Sequence, residues 1–430
     1  MSGSARQPDW IDVASAQARV LAAIEVLSSE TVPLRDAVQR TLAAPVSSPI
    51  DQPPWNNSAM DGYATRAADV VNASKQMPTR LRVIESIAAG EFPRKTLGPG
   101  EATRIMTGAP VPEGADTVIR VEHTREGDAD HVLIVDAMDA GRNLRFRGED
   151  LRTGDTVLLP GRFLRPGEIG VLATVGASQV EVFRRPRVAI LSTGNELAEL
   201  NQFDQVLQGR KIVNSNSYSL AAATIGSGAL PVMLGIASDD AASLRDHIEQ
   251  GFDADVLVTT AGASVGDHDL VKDVLEELGC TLDFWRVRMR PGSPISFGLI
   301  PARDRRIPVF CLPGNPVSAL VTFELFVRPA LRKMQGRTDV YPATMRVKVE
   351  ERTSSKRGLT HFLRATLKQN PGGEPLARLT GGQGSGLITS MAHADALLIV
   401  PEDRDALEAG ELAWAVRLTG PDQGQENPGY

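Results

Sequence analysis

The length, composition and charge of this chain exclude several classes of protein. Its 430 residues exceed what one hydrophobic core usually serves, so we expect two to four domains. Lysine and arginine number 46 against 53 aspartate and glutamate, a net charge of -7, so no general positive field exists for nucleic acid or an anionic membrane. Any anionic ligand must therefore be held by a local cluster of residues.

Cysteine content and hydropathy predict a cytoplasmic protein. Cys280 and Cys311 are the two cysteines, too few for a disulfide framework or a thiolate metal site. We find no signal segment in MSGSARQPDW and no stretch near the ~20 apolar residues that span a bilayer. Membrane insertion and secretion are therefore not expected.

The first part of the chain predicts helical structure. Apolar residues recur at helical spacing before Pro33, and a second short helical run covers 34–42. The apolar positions of the first pattern are Val13, Val20, Ile24 and Leu27. Short strands and a helix around 167–175 return to the same module, so we expect an N-terminal mixed domain over 1–50 and 148–183.

Two regions show short alternating apolar runs divided by glycine, proline and aspartate turns, which is typical of β-structure. In 51–147 these runs are LRVIESI, ATRIMTG, DTVIRVE and HVLIVDAM, and in 341–422 they are MRVKVEE, HFLRATL, EPLARLT and ALLIVPE. The first region predicts a β-rich domain. The second predicts a C-terminal β-barrel, with a sandwich as the alternative.

Residues 184–333 have a different pattern. Continuous apolar runs, RVAILSTG, DVLVTTAG and IPVFCLPG, alternate with segments of helical character. Such strands are typical of a parallel sheet covered on both faces. The predicted class is α/β, with a doubly wound parallel sheet. In that fold, ligands bind beyond the carboxyl ends of the strands, where three loops of this region lie.

The first of these loops is 191–196. Ser192, Thr193 and Gly194 let the backbone approach a ligand closely, and Glu196 could coordinate a cation or orient a nucleophile. A plain strand-to-helix turn is the alternative.

The second loop is 259–269. Its hydroxyl groups, its backbone N–H groups and the helix that follows favour a phosphate cradle, for which Gly262, Ser264 and Gly266 are the candidates. Asp267 and Asp269 could hold Mg²⁺. Asp269 could equally be a helix N-cap.

The third loop is 312–318, where Pro313, Gly314 and Asn315 form a rigid turn before a helix. Between the second and third loops, the segment 286–294 has arginine at alternate positions. An extended segment of this kind presents the guanidinium groups of Arg286, Arg288 and Arg290 on one face, which suits a phosphate-bearing ligand. An exposed basic edge strand is the alternative.

Further clusters of small polar residues lie at 53–64, 104–110 and 147–150, each of which alone could be turn chemistry. Across about 10–420 the motifs are SAMDGYA, RIMTGAPVPEGAD, FRGED, LSTGNEL, NSNSY, ASVGDHD, LPGNPVSALV and QGSGLITSMAHADALLIVPE. In this order and spacing they resemble the molybdopterin molybdenumtransferase family, the MoeA proteins, whose eukaryotic relatives include the E domain of gephyrin.

The resemblance implies a four-part subunit, a homodimer and a molybdopterin-binding domain over 184–333. It implies a Mg²⁺-dependent transferase that inserts molybdenum from molybdate into adenylylated molybdopterin and releases AMP. It also implies a molybdopterin adenylyltransferase and acceptor molybdoenzymes as partners. Adenylyltransferase activity, or a non-catalytic gephyrin-like scaffold, are the alternatives.

The resemblance also implies roles for single residues. The catalytic positions are Asp61, Thr107, Asp150, Glu196, Asp239 and Asp269, and the metal ligands are Glu196, Asp267 and Asp269. Arg364 and Ser385 match positions that face the cleft, although Arg364 could instead pair with a local carboxylate. Arg286, Arg290 and Ser293 stand where the family usually has lysine, which leaves room for a specialised paralogue.

Overall fold

A computed structural model describes residues 10–128, 130–260, 270–370 and 372–418. These residues divide into two compact units. The larger unit comprises Met1–Ala43, Pro160–Arg165 and Gln179–Tyr430, and the smaller unit comprises Ala44–Leu159 and Pro166–Ser178. In the described ranges, no helix is both long and apolar enough to cross a membrane.

The helices are mostly short. The α-helices are Val13–Ala23, Ala67–Val70, Pro166–Thr174, Phe203–Leu207, Ser215–Ile225, Ala241–Gln250, Leu270–Glu277, Pro316–Thr322, Arg328–Met334 and Ile388–Ala392. The 3-10 turns are Leu34–Asp36, Val121–His123, Leu200–Gln202 and Gly251–Asp253, and Phe323–Val327 is a π-helical segment.

The larger unit contains the predicted doubly wound sheet. Its strands lie in the order Leu230–Ala237, Arg187–Thr193, Val256–Thr260, Arg305–Leu312, Ser296–Ala302 and Thr281–Phe284. The first four are parallel, and the last two continue the sheet antiparallel as an edge hairpin. The central strands are apolar on both faces because helices cover both. One core packs Val188 and Ile190 with Leu220, and the other packs Ala189 with Leu244.

The chain order of this sheet creates a switch point. The strand Arg187–Thr193 is flanked on one side by Leu230–Ala237 and on the other by Val256–Thr260. The connections to these two strands therefore leave in opposite directions and open a crevice at their carboxyl ends. The first and third predicted ligand loops leave the sheet at this edge, where the strand Val256–Thr260 that precedes the second loop also ends.

The C-terminal region of the larger unit is a closed barrel, as predicted. Around the barrel the strands run Thr360–Gln369, Pro375–Leu379, Thr344–Val349, Leu412–Arg417 and Ala396–Val400, which pairs back with the first. The short strand Met289–Arg290 adds to Thr360–Gln369. Closure removes the exposed edges that an open sheet of this size would carry.

The smaller unit is built on a mixed β-sheet, as predicted from its alternating pattern. The strands lie in the order Thr117–Arg120, Gly62–Thr65, Glu101–Ile105, Thr79–Ile87, His131–Ile134 and Thr124–Glu126. Two short pairs accompany it, namely Asn57–Ser58 with Leu144–Arg145 and Val46–Ser47 with Thr156–Leu158. Its core residues include Leu81, Ile119 and Ile134.

The N-terminal segment differs in part from expectation. The predicted first helix is confirmed over Val13–Ala23 but ends before Ile24 and Leu27, and Asp12 caps it by accepting a 2.8 Å hydrogen bond from the Ser15 N–H. The predicted helix over 34–42 is wrong, because only the turn Leu34–Asp36 is helical. Before it, Ser29–Pro33 forms a strand that pairs with Gln179–Phe183. The four domain boundaries given above stay a prediction.

Candidate functional site

A cavity of about 740 Å³ lies at the carboxyl edge of the parallel sheet. Its lining residues are Thr193, Glu196, Leu197, Ile212, Val213, Asn214, Ser215, Asn216, Thr260, Pro294, Pro313, Gly314, Asn315, Pro316, Gly386 and Ile388. We call it the carboxyl-edge cavity. Because the lining comes from several loops that leave neighbouring strands, the cavity lies where doubly wound folds bind ligands.

A network of uncharged side chains lies at the base of this cavity. The Ser192 hydroxyl is fully buried and lies 2.8 Å from Asn214 Oδ1, 2.8 Å from Ser217 Oγ and 2.9 Å from Thr260 Oγ1. These contacts join the ends of two parallel strands to the helix Ser215–Ile225. The network fixes the spacing of the strand ends without burying a charge.

The network extends from the base of the cavity to a tyrosine. Asn214 donates to Glu199 Oε1 at 3.0 Å, and the Tyr218 hydroxyl donates to Glu199 Oε2 at 3.2 Å. Desolvation and the neighbouring carboxylate raise the pKa of Tyr218, so its phenol stays protonated at neutral pH. Asn214 also caps the helix by accepting from the Ser217 N–H.

The loop after the strand Arg187–Thr193 places Glu196 on the cavity wall. Gly194 has φ of +138°, a backbone conformation that strains any other residue, and a Cβ there would displace the Glu196 carboxylate. Asp239 accepts a 3.0 Å hydrogen bond from the Asn195 N–H. Asp239, a predicted catalytic residue, is thus placed to hold the loop, while Glu196 is exposed to the cavity.

The third predicted loop also lines the cavity. Pro313, Gly314 and Asn315 precede a helix whose first residue is a proline. Asn216 fixes this loop by donating to the Gly314 carbonyl at 2.7 Å. The Asn216 Oδ1 atom is buried and has no hydrogen-bond partner among the described residues. It is an acceptor at the cavity edge that a ligand donor would satisfy.

Arg364 is fully buried beneath the loop that contains Ser385. Its guanidinium donates to Ser390 Oγ at 3.0 Å and to the carbonyls of Gly382 and Gly384 at 3.3 and 3.0 Å. In the part of the chain that the structure describes, no carboxylate pairs with it, so the alternative of a local ion pair is wrong, and a position facing the cleft stays a prediction. The Ser385 backbone carbonyl accepts from the Val317 N–H at 3.1 Å, which ties this barrel loop to the third loop.

The basic segment does not present three equivalent guanidinium groups. Arg288 is bound by Glu402 at 3.1 Å and donates to the Trp10 carbonyl at 2.6 Å. The Arg286 guanidinium lies 5.7 Å from the centre of the Trp10 ring. Arg290 is exposed at the end of the short strand Met289–Arg290. The alternation is real in the sequence, but partners distant in the chain engage Arg288 and Arg286.

In the smaller unit the structure brings together Asp61 and Thr107. Asp61 Oδ1 accepts from the Thr107 N–H at 2.7 Å and from its hydroxyl at 2.8 Å. These two hydrogen bonds hold the pKa of the exposed Asp61 below its ordinary value. The Asp61 carboxylate is therefore ionised at neutral pH, and the two hydrogen bonds from Thr107 orient it.

Asp150 lies in a loop connected to the same neighbourhood. Asp150 donates its N–H to the Gln52 carbonyl at 3.0 Å, and the Asn57–Ser58 strand bonds both Leu144–Arg145 and the loop of Thr107. The Asp150 carboxylate is exposed. The three predicted residues of the smaller unit thus come from loops that are hydrogen-bonded to one another.

Comparison with known proteins identifies the family. The MoeA N-terminal region (domain I and II) matches residues 11–176, a probable molybdopterin binding domain matches 189–333, and the MoeA C-terminal region (domain IV) matches 346–416. This chain belongs to the molybdopterin molybdenumtransferase, or MoeA, family.

Individual MoeA relatives agree with these matches over most of the chain. The molybdopterin molybdenumtransferase of Nostoc sp. is 38% identical over 393 residues, which cover 91% of this chain and 89% of the relative. Molybdopterin molybdenumtransferase 2 of Mycobacterium tuberculosis is 39% identical over 395 residues, covering 90% and 95%. The crystal structure of the molybdopterin biosynthesis MoeA protein from Pyrococcus horikoshii has a TM-score of 0.81 at 30% identity, covering 95% and 100%.

The metal prediction for this MoeA protein rests partly outside the described residues. Asp267 and Asp269, with Gly262, Ser264 and Gly266, fall in 261–269, which the structure does not describe. Among the residues it does describe, no three histidine, cysteine, aspartate or glutamate side chains form a metal cluster. Glu196 offers one carboxylate at the cavity, which suits Mg²⁺ because this ion commonly takes one or two carboxylates together with substrate phosphates.

Sequence reasoning missed the side chains that organise the cavity floor. Asn214, Asn216 and Ser217 belong to the motif NSNSY, which supported the resemblance but received no role. The available signal was a helix start, because asparagine is one of the preferred N-cap residues and a helical pattern follows it. That pattern predicts the cap but not the long-range bonds to Ser192 and Gly314.

Proposed function

We propose that this chain inserts molybdenum from molybdate into adenylylated molybdopterin and releases AMP. Family membership supports this reaction, and the carboxyl-edge cavity supplies the observation on which we rest it. Its volume of about 740 Å³ lies within the range of ~300–1,000 Å³ usual for small-molecule sites. The cavity joins loops of the parallel sheet to the barrel loop of Gly386, so several parts of the chain can contact one large substrate.

The lining chemistry supports binding of an extended, polar and anionic substrate. Hydroxyl and amide groups at the floor, such as Thr260 and Asn214, can donate to ring and phosphate oxygens without bringing a competing charge. The Oδ1 atom of Asn216 is an unpaired acceptor at the cavity edge, and it can accept a hydrogen bond from an N–H group of a heterocycle. Together they would orient the adenylylated pterin against the strand ends.

The carboxylates have a separate proposed task. Glu196, together with Asp267 and Asp269, would hold Mg²⁺ near the adenylate phosphate, and the ion would neutralise charge as AMP leaves. Asp61, Thr107 and Asp150 would bind and position the molybdate side of the reaction in a homodimer. The lowered pKa of Asp61 supports this role, because an ionised carboxylate would relay the protons released by the dithiolene sulfurs to the molybdate oxygens, which leave as water.

A supply enzyme and receivers follow from this chemistry. A molybdopterin adenylyltransferase would provide the substrate, and molybdoenzymes would accept the product. Cys280 and Cys311 are both buried and are not joined in a disulfide, which supports a reducing cytoplasm as the place of the reaction.

The decisive experiment distinguishes release of AMP from adenylylated molybdopterin from attachment of AMP to molybdopterin. Purified protein is mixed with adenylylated molybdopterin, molybdate and Mg²⁺, and AMP release is measured. In Glu196→Ala we expect roughly 100-fold slower release, because the carboxylate that would orient the cation is lost. Glu25→Ala, an exposed glutamate outside the cavity, is the matched control and should keep the rate of the original chain.

Each other outcome has a clear meaning. Equal rates in the two variants would remove Glu196 from the mechanism. Attachment of AMP to molybdopterin from ATP would make the chain an adenylyltransferase instead. Absence of either reaction in correctly folded protein would support the scaffold alternative.

A further inference from the structure

A second cavity, of about 640 Å³, lies at the opposite edge of the parallel sheet. It is at the amino ends of the strands that begin at Arg187 and Leu230. Its lining contains five arginines, namely Arg35, Arg40, Arg184, Arg185 and Arg187, but only two acids, Glu30 and Asp36. We call it the amino-edge cavity. The excess of positive charge in its lining contrasts with the net charge of -7 of the whole chain.

Two of these arginines are fixed by contacts within the fold. Arg184 binds Asp255 with both terminal nitrogens, each at 2.7 Å, and the Asp255 side chain is 2% exposed. Arg40 is bound by Glu30 and donates to the Phe183 carbonyl at 2.8 Å. These contacts hold two guanidinium groups in place, so part of the cost of ordering the site is met by the fold.

Within the described ranges, Arg185 and Arg187 lack such partners, and Arg35 forms only an exposed ion pair with Asp36 at 3.7 Å. The Arg185 Nε atom is buried and has no hydrogen-bond acceptor among the described residues. Within that same part of the chain, no carboxylate lies in ion-pair distance of Arg185 or Arg187. A buried donor left unpaired is costly, and a bound acceptor would remove the cost.

We propose that the amino-edge cavity binds a phosphoryl group or another doubly charged tetrahedral oxyanion. Guanidinium groups match such an anion because their planar N–H donors form paired hydrogen bonds with its oxygens. The two fixed arginines, Arg40 and Arg184, would border the bound anion. Arg185 and Arg187 would contact it directly. Arg35, which is exposed, can close over it.

This site is distinct from the carboxyl-edge cavity. The strand Arg187–Thr193 separates their positions by roughly 20 Å, from its length and the rise of ~3.3 Å per residue. An anion at the amino edge therefore takes no part in the transfer reaction. The inference does not depend on the proposed function, and a free anion or a phosphate on a small metabolite would satisfy the same donors.

Calorimetric titration of the full chain with inorganic phosphate tests the site. We expect binding in the original chain and at least tenfold weaker binding in the double variant Arg185→Gln/Arg187→Gln, because two charge-assisted contacts are lost. Arg125→Gln, which removes an exposed arginine of the smaller unit, should bind as the original chain does. Ser192→Ala, altered at the other edge, should also keep the affinity.

Additional arms identify the source of the anion and guard against misfolding. Tighter binding of ADP than of phosphate would indicate a phosphorylated metabolite, whereas equal binding of phosphate, sulfate and molybdate would indicate a free oxyanion. If the double glutamine variant does not fold, Arg185→Lys/Arg187→Lys keeps the charge and should bind with intermediate affinity. Unchanged phosphate affinity in either folded double variant, or no binding to the original chain, would overturn the proposal.

Discussion

The two edges of the parallel sheet are held together by different kinds of interaction. At the carboxyl edge, Ser192, Asn214 and Thr260 form a network of uncharged hydrogen bonds. At the amino edge, the buried Asp255 accepts from two arginine side chains, Arg184 and Arg305, and from the Arg187 N–H, at 2.7–2.8 Å. One edge is organised by neutral groups and the other by an ionic cross-link.

Because of this difference, we expect the amino edge to be rigid and the carboxyl edge to adapt to a ligand. Hydroxyl groups can donate or accept, so a neutral network can rearrange its hydrogen bonds when a ligand arrives. A buried carboxylate that has four donors cannot change partners without exposing a charge to a medium that solvates it poorly. We therefore expect mutations at the amino edge to affect mainly stability, and mutations at the carboxyl edge to affect ligand binding at a smaller stability cost.

The largest effect on stability is expected for Asp255→Asn. The amide cannot neutralise Arg184 and Arg305, so buried positive charge is left unpaired, and we expect a loss of roughly 3–5 kcal/mol in the free energy of unfolding. Urea unfolding followed by circular dichroism measures this loss. Asp253→Asn is the matched control, because Asp253 forms an exposed ion pair with Arg303. Its cost should stay below about 1 kcal/mol.

The same carboxylate predicts a pH dependence. Burial alone would raise the pKa of Asp255, but the hydrogen bonds from Arg184, Arg187 and Arg305 outweigh burial and hold the pKa below the ordinary value for aspartate. The stabilisation is therefore complete above roughly pH 4 and is lost as pH falls through the lower, folded-state pKa. Asp255→Asn should abolish this part of the acid unfolding. Equal acid sensitivity in the variant would contradict the ionic description of this edge.

A smaller effect is expected for Ser192→Ala at the carboxyl edge. The change leaves Asn214, Ser217 and Thr260 without a shared partner, and we expect a loss of about 1–2 kcal/mol, because the remaining groups can bond one another in part. AMP release should slow as well, since the strand ends border the carboxyl-edge cavity. Ser219→Ala, in the helix Ser215–Ile225, removes only a hydrogen bond to the Asn216 carbonyl and serves as control. Equal costs for the two serines would mean that the neutral network does not organise this edge.

The carboxyl edge was largely predictable from the sequence, and the amino edge was not. Apolar runs such as RVAILSTG and IPVFCLPG place strands, and the loops that follow them meet at one edge for any doubly wound order. The Asp255 cross-link joins residues about 50 and 70 positions away, and nothing in the local pattern marks it.

The errors have the same cause. The strand Ser29–Pro33 was not predicted because its partner, Gln179–Phe183, lies far along the chain. Arg288 fits an alternating basic face in the sequence, yet Glu402, more than a hundred residues away, binds it. Local periodicity predicts elements, whereas the partners of charged side chains depend on the tertiary fold.

The smallest expected effect concerns Asp61, a carboxylate held only by neutral donors. Thr107→Val removes one of its two hydrogen bonds, so the pKa of Asp61 should rise but remain below the ordinary value, because the Thr107 N–H still donates. Carbon-13 NMR titration of the carboxylate measures the change. Asp51 offers the matched case, since Thr153 donates to it in the same way but Arg147 also binds it at 2.6 Å. Thr153→Val should therefore move the pKa of Asp51 less than Thr107→Val moves that of Asp61. If the pKa of Asp51 moved as far, an adjacent guanidinium would add nothing at a partly exposed carboxylate, and the contrast between ionic and neutral anchoring would hold only where the carboxylate is buried.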